Sequence, residues 1–415
     1  PPGARSRGAP HVPATRPSPE PILKEVVIAS ACRTPIGRFQ GGLSALSAPE
    51  LGALAIAEAL RRAKVAPEAV DEVIMGCVLA AGLGQNPARQ AAIRSGVPNT
   101  VGSFTINKVC GSGLKAVMLG AQAIRAGDVD VVVCGGMESM TNAPYLLPEA
   151  RAGVRLGHGK LVDSMIQDGL WDVYNDFHMG NTAELVAKKY EISREEQDAF
   201  AANSHAKAVA ATKAGRLDAE KFAVPVPQRK GDPVPFTTDE NSREETTAEG
   251  IAKLRPACAK DGTVTAANAS SINDGAAALV VMSAEKAREL GVKPIARVAA
   301  YATSGCAPEW VMMAPEGSVK ACAAKLGKKP GDFALHEINE AFSAAAIALT
   351  RVLDLDPEKV NVNGGAIALG HPIGASGARN RTPLLHAMRQ KKAVNGMASL
   401  CLGGGNAVSV AVEAL

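Results

Sequence analysis

Ser103-Phe-Thr-Ile-Asn-Lys-Val-Cys-Gly-Ser-Gly113 decides how this 415-residue chain folds. Ser103 to Val109 carries the β-branched and apolar residues of a strand, Cys110-Gly-Ser-Gly113 breaks it, and the apolar spacing beyond predicts a helix from Gly111 to about Ala126. The same shape recurs far downstream. Val360 to Asn363 leads through a glycine-rich turn to Gly374-Ala-Ser-Gly377 and a helix from Ala375 onward. The two Ser-Gly pairs, Ser112-Gly113 and Ser376-Gly377, lie 264 residues apart.

Working outward, the first copy predicts strands at Val26–Ala31 and Glu72–Val78, a helix at Leu51–Lys64, and a strand at Asp130–Cys134 ended by Gly135-Gly136. The second copy predicts strands at Arg297–Thr303, Ala334–Ile338 and Asn395–Cys401, with helices at Ser318–Leu326 and from Glu340. Pro67 and Pro330 are 263 residues apart, and Gly136 and Gly403 are 267 apart. Three matches at nearly one offset indicate an internal duplication of an α/β unit, with helices covering both faces of a largely buried sheet. Between the copies the character changes. Asn142–Asn181 reads as irregular, Ser193-Arg-Glu-Glu196 is a capping box opening a polar helix to about Ala214, and Val224–Glu249 reads as loops. The organisation expected is an N-terminal half over 22–141, completed by about 273–293, an inserted loop domain over 142–272, and a C-terminal half over 294–415. Residues 1–21, with seven prolines, three arginines and no acid before Glu20, read as a disordered or processed extension.

Composition narrows the function. Phe 8, Tyr 4 and Trp 2 leave the core to Ala, Gly and branched aliphatics, and a formal charge of +4 is small; both argue against nucleic acid as a partner. No apolar run is long enough for a membrane span. Eight cysteines without a C-x-x-C pair speak against structural zinc and for a reducing compartment. The location expected is cytoplasmic, or the mitochondrial matrix if the Arg-bearing extension is the remnant of a transit peptide.

Four positions carry chemistry. Cys110 sits where a strand meets a helix N-terminus, whose dipole favours thiolate. His371, in Gly370-His-Pro372, can take a proton or donate to an oxyanion. Cys401, in Cys401-Leu-Gly403, ends a buried strand, and Asn339 ends another. Ligands of α/β sheets bind beyond the carboxyl ends of strands, and the duplication places all four at or near such ends.

These segments, Cys110 in Val109-Cys-Gly-Ser-Gly113, Asn339-Glu-Ala-Phe342, Gly370-His-Pro372 and Cys401-Leu-Gly403, resemble in order the signatures of the thiolase family. The resemblance covers roughly 22–415. His178-Met-Gly180 with Thr182-Ala-Glu184, and Asn268-Ala-Ser270 before Asn273-Asp-Gly275, look like its biosynthetic acetoacetyl-CoA members. It implies two βαβαβαββ halves packed as five layers, α-β-α-β-α, and a reversible Claisen condensation of two acetyl-CoA to acetoacetyl-CoA and CoA. Cys110 matches the acyl-holding nucleophile, His371 its base, and Cys401, with a pKa near neutrality, the acid/base at the methyl carbon. His371 with an Asn339-held water, and the N–H groups of Cys110 and Gly403, match two oxyanion sites. Ser270, His178, Met179 and Arg243 match contacts to the CoA thioester. Glu340 orients the site or merely starts a helix.

No cofactor is tightly bound on this reading, CoA thioesters being substrates; no metal is implied, and the family's assembly suggests a homotetramer. A broader-chain 3-ketoacyl-CoA thiolase of β-oxidation, a ketoacyl synthase and a catalytically silent CoA- or lipid-binding relative are the alternatives. Three departures from the family pattern stand out. Gly250 replaces a serine, Cys258 an apolar aromatic, and Asn380-Arg-Thr-Pro383 interrupts an apolar buried helix, predicting a kink with Arg381 near the core.

Overall fold

A computed structural model describes residues 23–415; the extension read over 1–21 lies outside the described residues. The strands that matter are β1 (Val26–Arg33), β2 (Glu72–Gly76), β3 (Gly102–Ile106), β4 (Val131–Ser139), β5 (Asn273–Ser283), β6 (Ala296–Gly305), β7 (Leu335–Ile338), β8 (Asn395–Leu402) and β9 (Asn406–Ala414). The principal helices are α1 (Ala48–Ala63), α2 (Ser112–Ala126), α3 (Met179–Lys189), α4 (Arg194–Lys213), α5 (Pro315–Ala324), α6 (Ser343–Val352) and α7 (Ile373–Lys391).

The duplication is visible in the pairing. One half has the order β3-β2-β4-β5-β1, parallel from β3 to β4 and antiparallel thereafter. The other has β7-β8-β9-β6 with the same directions, and a single parallel bridge from His336 to Val360 where its outermost strand belongs. Both first strands carry a register shift, at Ile28/Ser30 in β1 and Val298/Ala300 in β6. The halves touch edge to edge through two residue pairs, Val27 with Arg297 and Ile28 with Ala296.

Three apolar clusters give the layers. One packs α1 on the outer face of the first half-sheet. A central cluster packs α2 and α7 between the half-sheets. A third packs α5 and α6 on the outer face of the second. The result is α-β-α-β-α. The central layer is thin because glycines let the two helices touch backbone to backbone. A Cβ on Gly113 would sit 2.6 Å from the Ala378 nitrogen, and one on Gly377 2.2 Å from that of Leu114.

Several local expectations change. β4 does not stop at Gly135-Gly136 but runs through to Ser139, because β5 pairs with it along that whole length. Val360–Asn363 is a turn rather than a strand. α6 begins at Ser343, not at Glu340. Residues 142–181 are not wholly irregular: short ribbons pair Tyr145–Leu146 with Val162–Asp163 and Trp171–Asp172 with Phe177–His178 before α3 starts at Met179. The capping box at Ser193 and Glu196 is present and opens α4.

Asn380–Pro383 does not end the helix: α7 continues through Pro383 to Lys391, packed on both sides. Arg381 is fully buried. Its Nη1 donates to the Val410 carbonyl at 2.8 Å, while Nε and Nη2 have no partner among the described residues. An unpaired buried cation is costly, and desolvation pulls its pKa down to about 9. Arg381→Leu is therefore expected to raise the unfolding free energy by about 1–4 kcal/mol at pH 7 in denaturant titrations. The folded pKa lies below the unfolded one, so the penalty is complete below pH 9 and shrinks as pH rises beyond it. The gap between variant and parent should narrow there; an Arg381→Leu chain no more stable than the parent refutes this account.

Candidate active site

Cys110 lies between the end of β3 and the start of α2. The residue before it, Val109, has φ of 46°. A β-branched side chain in that region is strained, and such strain persists only where the surroundings enforce it. Here Ser112 enforces it: its hydroxyl donates to the Val109 carbonyl at 2.7 Å and accepts the Lys108 N–H at 2.8 Å. Cys110 is thereby held half-buried just ahead of the helix.

His371 enters from the equivalent turn of the other half. Its backbone N–H donates to Asn273 Oδ1 at 2.8 Å, and Asn273 Nδ2 donates to the Gly37 carbonyl at 2.9 Å, fastening the His371 loop to the first half. Ser376, the counterpart of Ser112, donates its hydroxyl proton to the Pro372 carbonyl at 2.7 Å. Its oxygen is left to accept from His371 Nδ1 at 2.6 Å. That fixes the tautomer: Nδ1 carries the proton and Nε2 a lone pair. Asn339 Nδ2 lies 3.4 Å from that nitrogen.

Behind both turns sits Glu138, fully buried on β4. It accepts the N–H groups of Val78, Leu79 and Gly374 at 3.0, 3.2 and 2.8 Å. Burial still outweighs these bonds and lifts its pKa to about 7. Gly374 occupies the position equivalent to Cys110, and a Cβ there would lie 2.7 Å from the Glu138 carboxylate.

A cavity of about 330 Å³ brings the groups together; Cys110, His371, Cys401 and Gly403 all line it. So do Ser270, His178, Met179 and Cys258. Cys401 Sγ rests against Met312 Sδ at 3.9 Å. His178 caps α3, its Nδ1 accepting the Gly180 N–H at 3.1 Å. Arg243 does not line the cavity; it is exposed, and its backbone N–H donates to His205 Nδ1 at 3.2 Å. Glu340 starts no helix: buried, it accepts from Ser204, Asn361 and the Ile367 N–H at 2.7, 2.8 and 3.2 Å, tying the turn before His371 to α4.

Two electrostatic expectations are corrected. Burial, then the nearby Cys401, pushes the Cys110 thiol well above its usual range, outweighing its own N–H and that of Gly403. Both effects favour the neutral thiol over the thiolate. Cys401 is not poised near neutrality either; desolvation carries it up to about 12. His371 moves the other way, down to about 3, through burial and the Arg379 guanidinium.

Ser376, Arg379 and Glu138 escaped the sequence reading. The one available signal was Ser376, which mirrors Ser112 across the duplication.

The chain matches the thiolase N-terminal domain over residues 26–285 and the thiolase C-terminal domain over 292–414. It belongs to the thiolase family. An acetyl-CoA acetyltransferase of Cupriavidus necator is 58% identical to this thiolase over 391 residues, 94% of this chain and 100% of the relative. One from Pseudomonas aeruginosa is 55% identical over 388 residues, 94% and 99% of the two chains. The crystal structure of the Bacillus anthracis acetyl-CoA acetyltransferase superposes with a TM-score of 0.93 at 43% identity, covering 95% of this thiolase and 100% of that chain.

The tautomer lock is testable. Ser376→Ala should slow acetylation of Cys110 by acetyl-CoA about 10-fold or more, since general-base contributions run to about 10²–10⁴. In the parent, the rate should show no acid limb near pH 6.5, because His371 accepts protons from solvent only as pH falls toward 3. An unchanged Ser376→Ala rate, or half-maximal loss at pH 6.5, contradicts this geometry.

Proposed function

We propose that the chain is an acetyl-CoA C-acetyltransferase, joining two acetyl-CoA reversibly into acetoacetyl-CoA and CoA through an acyl-cysteine. The observation that carries this reading is the convergence of Cys110, His371, Cys401 and Gly403 on one cavity.

On this reading Cys110 Sγ attacks the first thioester carbonyl while His371 Nε2 takes its proton. The departing CoA thiolate takes the proton of Cys401. The Cys401 thiolate then removes a proton from the methyl carbon of the second acetyl-CoA, and its high proton affinity suits so weak an acid. The enolate attacks the acyl carbon, Cys110 leaves as thiolate, and His371 returns its proton. Burial beside Arg379 favours that return. The backbone N–H groups of Cys110 and Gly403 face the acyl oxygen; protonated His371, with an Asn339-held water, faces the enolising one. One such donor is typically worth about 10²–10³ in rate.

Ser270, His178 and Met179 on the cavity wall suit the pantetheine and acyl group, and Arg243, exposed beyond it, suits the adenine end. No tightly bound cofactor is part of this mechanism. The setting proposed is the cytoplasm, consistent with eight free cysteines. Among the described residues no helix is long and apolar enough to cross a membrane.

The half-reactions separate the thiols. Cys110→Ala should abolish both CoA release from acetyl-CoA and thiolysis of acetoacetyl-CoA. Cys401→Ala should still form an acyl-enzyme, detectable by intact mass, while losing exchange of acetyl-CoA methyl protons. A fully active Cys110→Ala variant ends the acetyltransferase reading.

A homotetramer is also proposed. It is supported by the ribbon of the insert and the segment that joins its strands, where Tyr145 and Leu161 are 62% and 64% exposed and Leu156 is 99% exposed, side chains that contact with another chain would cover. Light scattering should give about four chains per particle, and Leu156→Asp should yield dimers. A monomeric parent overturns this.

A further inference from the structure

Asn380 is a departure from the family pattern that the mechanism above leaves unused. It is buried on α7, with 1% of its surface exposed. Its amide belongs to a closed ring of polar contacts. Arg379 Nη2 donates to the Gly370 carbonyl at 3.1 Å, immediately before His371. Arg379 Nη1 donates to Asn380 Oδ1 at 2.6 Å. Asn380 Nδ2 donates to Asn339 Oδ1 at 3.4 Å, and Asn339 Nδ2 faces His371 Nε2 at 3.4 Å.

The ring has a direction, and it comes from chemistry. A guanidinium only donates, so the oxygen of Asn380 must face Arg379. Its NH2 group is then left for Asn339, which must present its oxygen. The NH2 group of Asn339 is in turn left for His371 Nε2. From the other side, Ser376 has already made Nε2 the acceptor. Both ends of the chain of bonds agree. Without Asn380 the two orientations of the Asn339 amide differ only through His371.

We propose that Asn380 is a positioning residue that sets the direction of the Asn339 amide, so that its N–H groups rather than its oxygen serve the enolising thioester. This rests on the acetyltransferase reading and adds to it a residue that touches no substrate. The role weighs most on the carbon–carbon step, where Asn339 holds the water facing the enolising oxygen; through its contact with His371 Nε2 the amide has a smaller part in acyl transfer to Cys110.

Asn380→Asp is the sharpest test. The carboxylate keeps the bond from Arg379 but has nothing to donate to Asn339, which is then drawn to turn its NH2 group toward Asp and its oxygen toward His371. Acetylation of Cys110, which meets Asn339 only through His371, should fall several-fold less than the carbon–carbon step does. Deuterium exchange into the acetyl-CoA methyl group, and kcat for condensation, should fall about 10-fold or more with little change in KM. Asn380→Leu removes the donor without adding an acceptor and should cost less, about 3-fold. In an Asn339→Ala background, Asn380→Asp should add no further loss in exchange. The proposal is overturned if Asn380→Asp matches the parent, if acetylation and exchange fall equally in both variants, or if the loss persists without Asn339. A parent chain that never acetylates Cys110 refutes the acetyltransferase reading, and the proposal falls with it.

Discussion

Everything in this molecule depends on how closely two helices can approach. α2 and α7 are the equivalent helices of their respective copies, and they meet at the Ser-Gly pairs of the duplicated turn. Gly113 and Gly377 leave no side chain between the two backbones. Larger residues would hold the helices apart by an ångström or more, and the half-sheets with them. Because Cys110 and His371 lie at the N-terminal ends of these helices, the close approach of the helices also brings the two side chains to one cavity. At that contact point there is room for glycine alone, while Leu, Ile and Met fill the layer on either side.

That closeness sets the electrostatics. The turns are buried between layers, and burial acts on each titratable group in the direction of its neutral form. It raises both thiols and lowers the imidazole. The buried turns therefore favour neutral groups over a preformed thiolate–imidazolium pair. Serines at the starts of α2 and α7 complete the arrangement, one bracing a strained valine and the other fixing a tautomer. Both roles follow from the same hydroxyl at the same point of the repeat.

Much of this was legible in the sequence, because the information was local and repeated. The duplicated Ser-Gly turns gave the halves, and the residues flanking them gave Cys110, His371, Asn339 and Cys401. What escaped was set by distant partners. Gly135 and Gly136 look like a strand end until β5 is placed beside them. Pro383 looks like a helix breaker until α7 is seen packed between the half-sheets. Glu340 looks like a helix start, yet its carboxylate serves Ser204 on the insert and Asn361 across a turn. The proton affinities were misjudged for a related reason: a helix dipole can be read from spacing, while the desolvation that overrides it depends on layers the sequence does not order.

Gly374 carries one more consequence. It is the counterpart of Cys110, and the Glu138 carboxylate lies where its side chain would begin. The second copy can therefore hold no nucleophile of its own without a rearrangement of β4. Near-twin architecture thus yields unequal halves, with Cys110 in the first and His371 and Cys401 in the second. Neither half, separated from the other, contains the full set of residues that line the cavity.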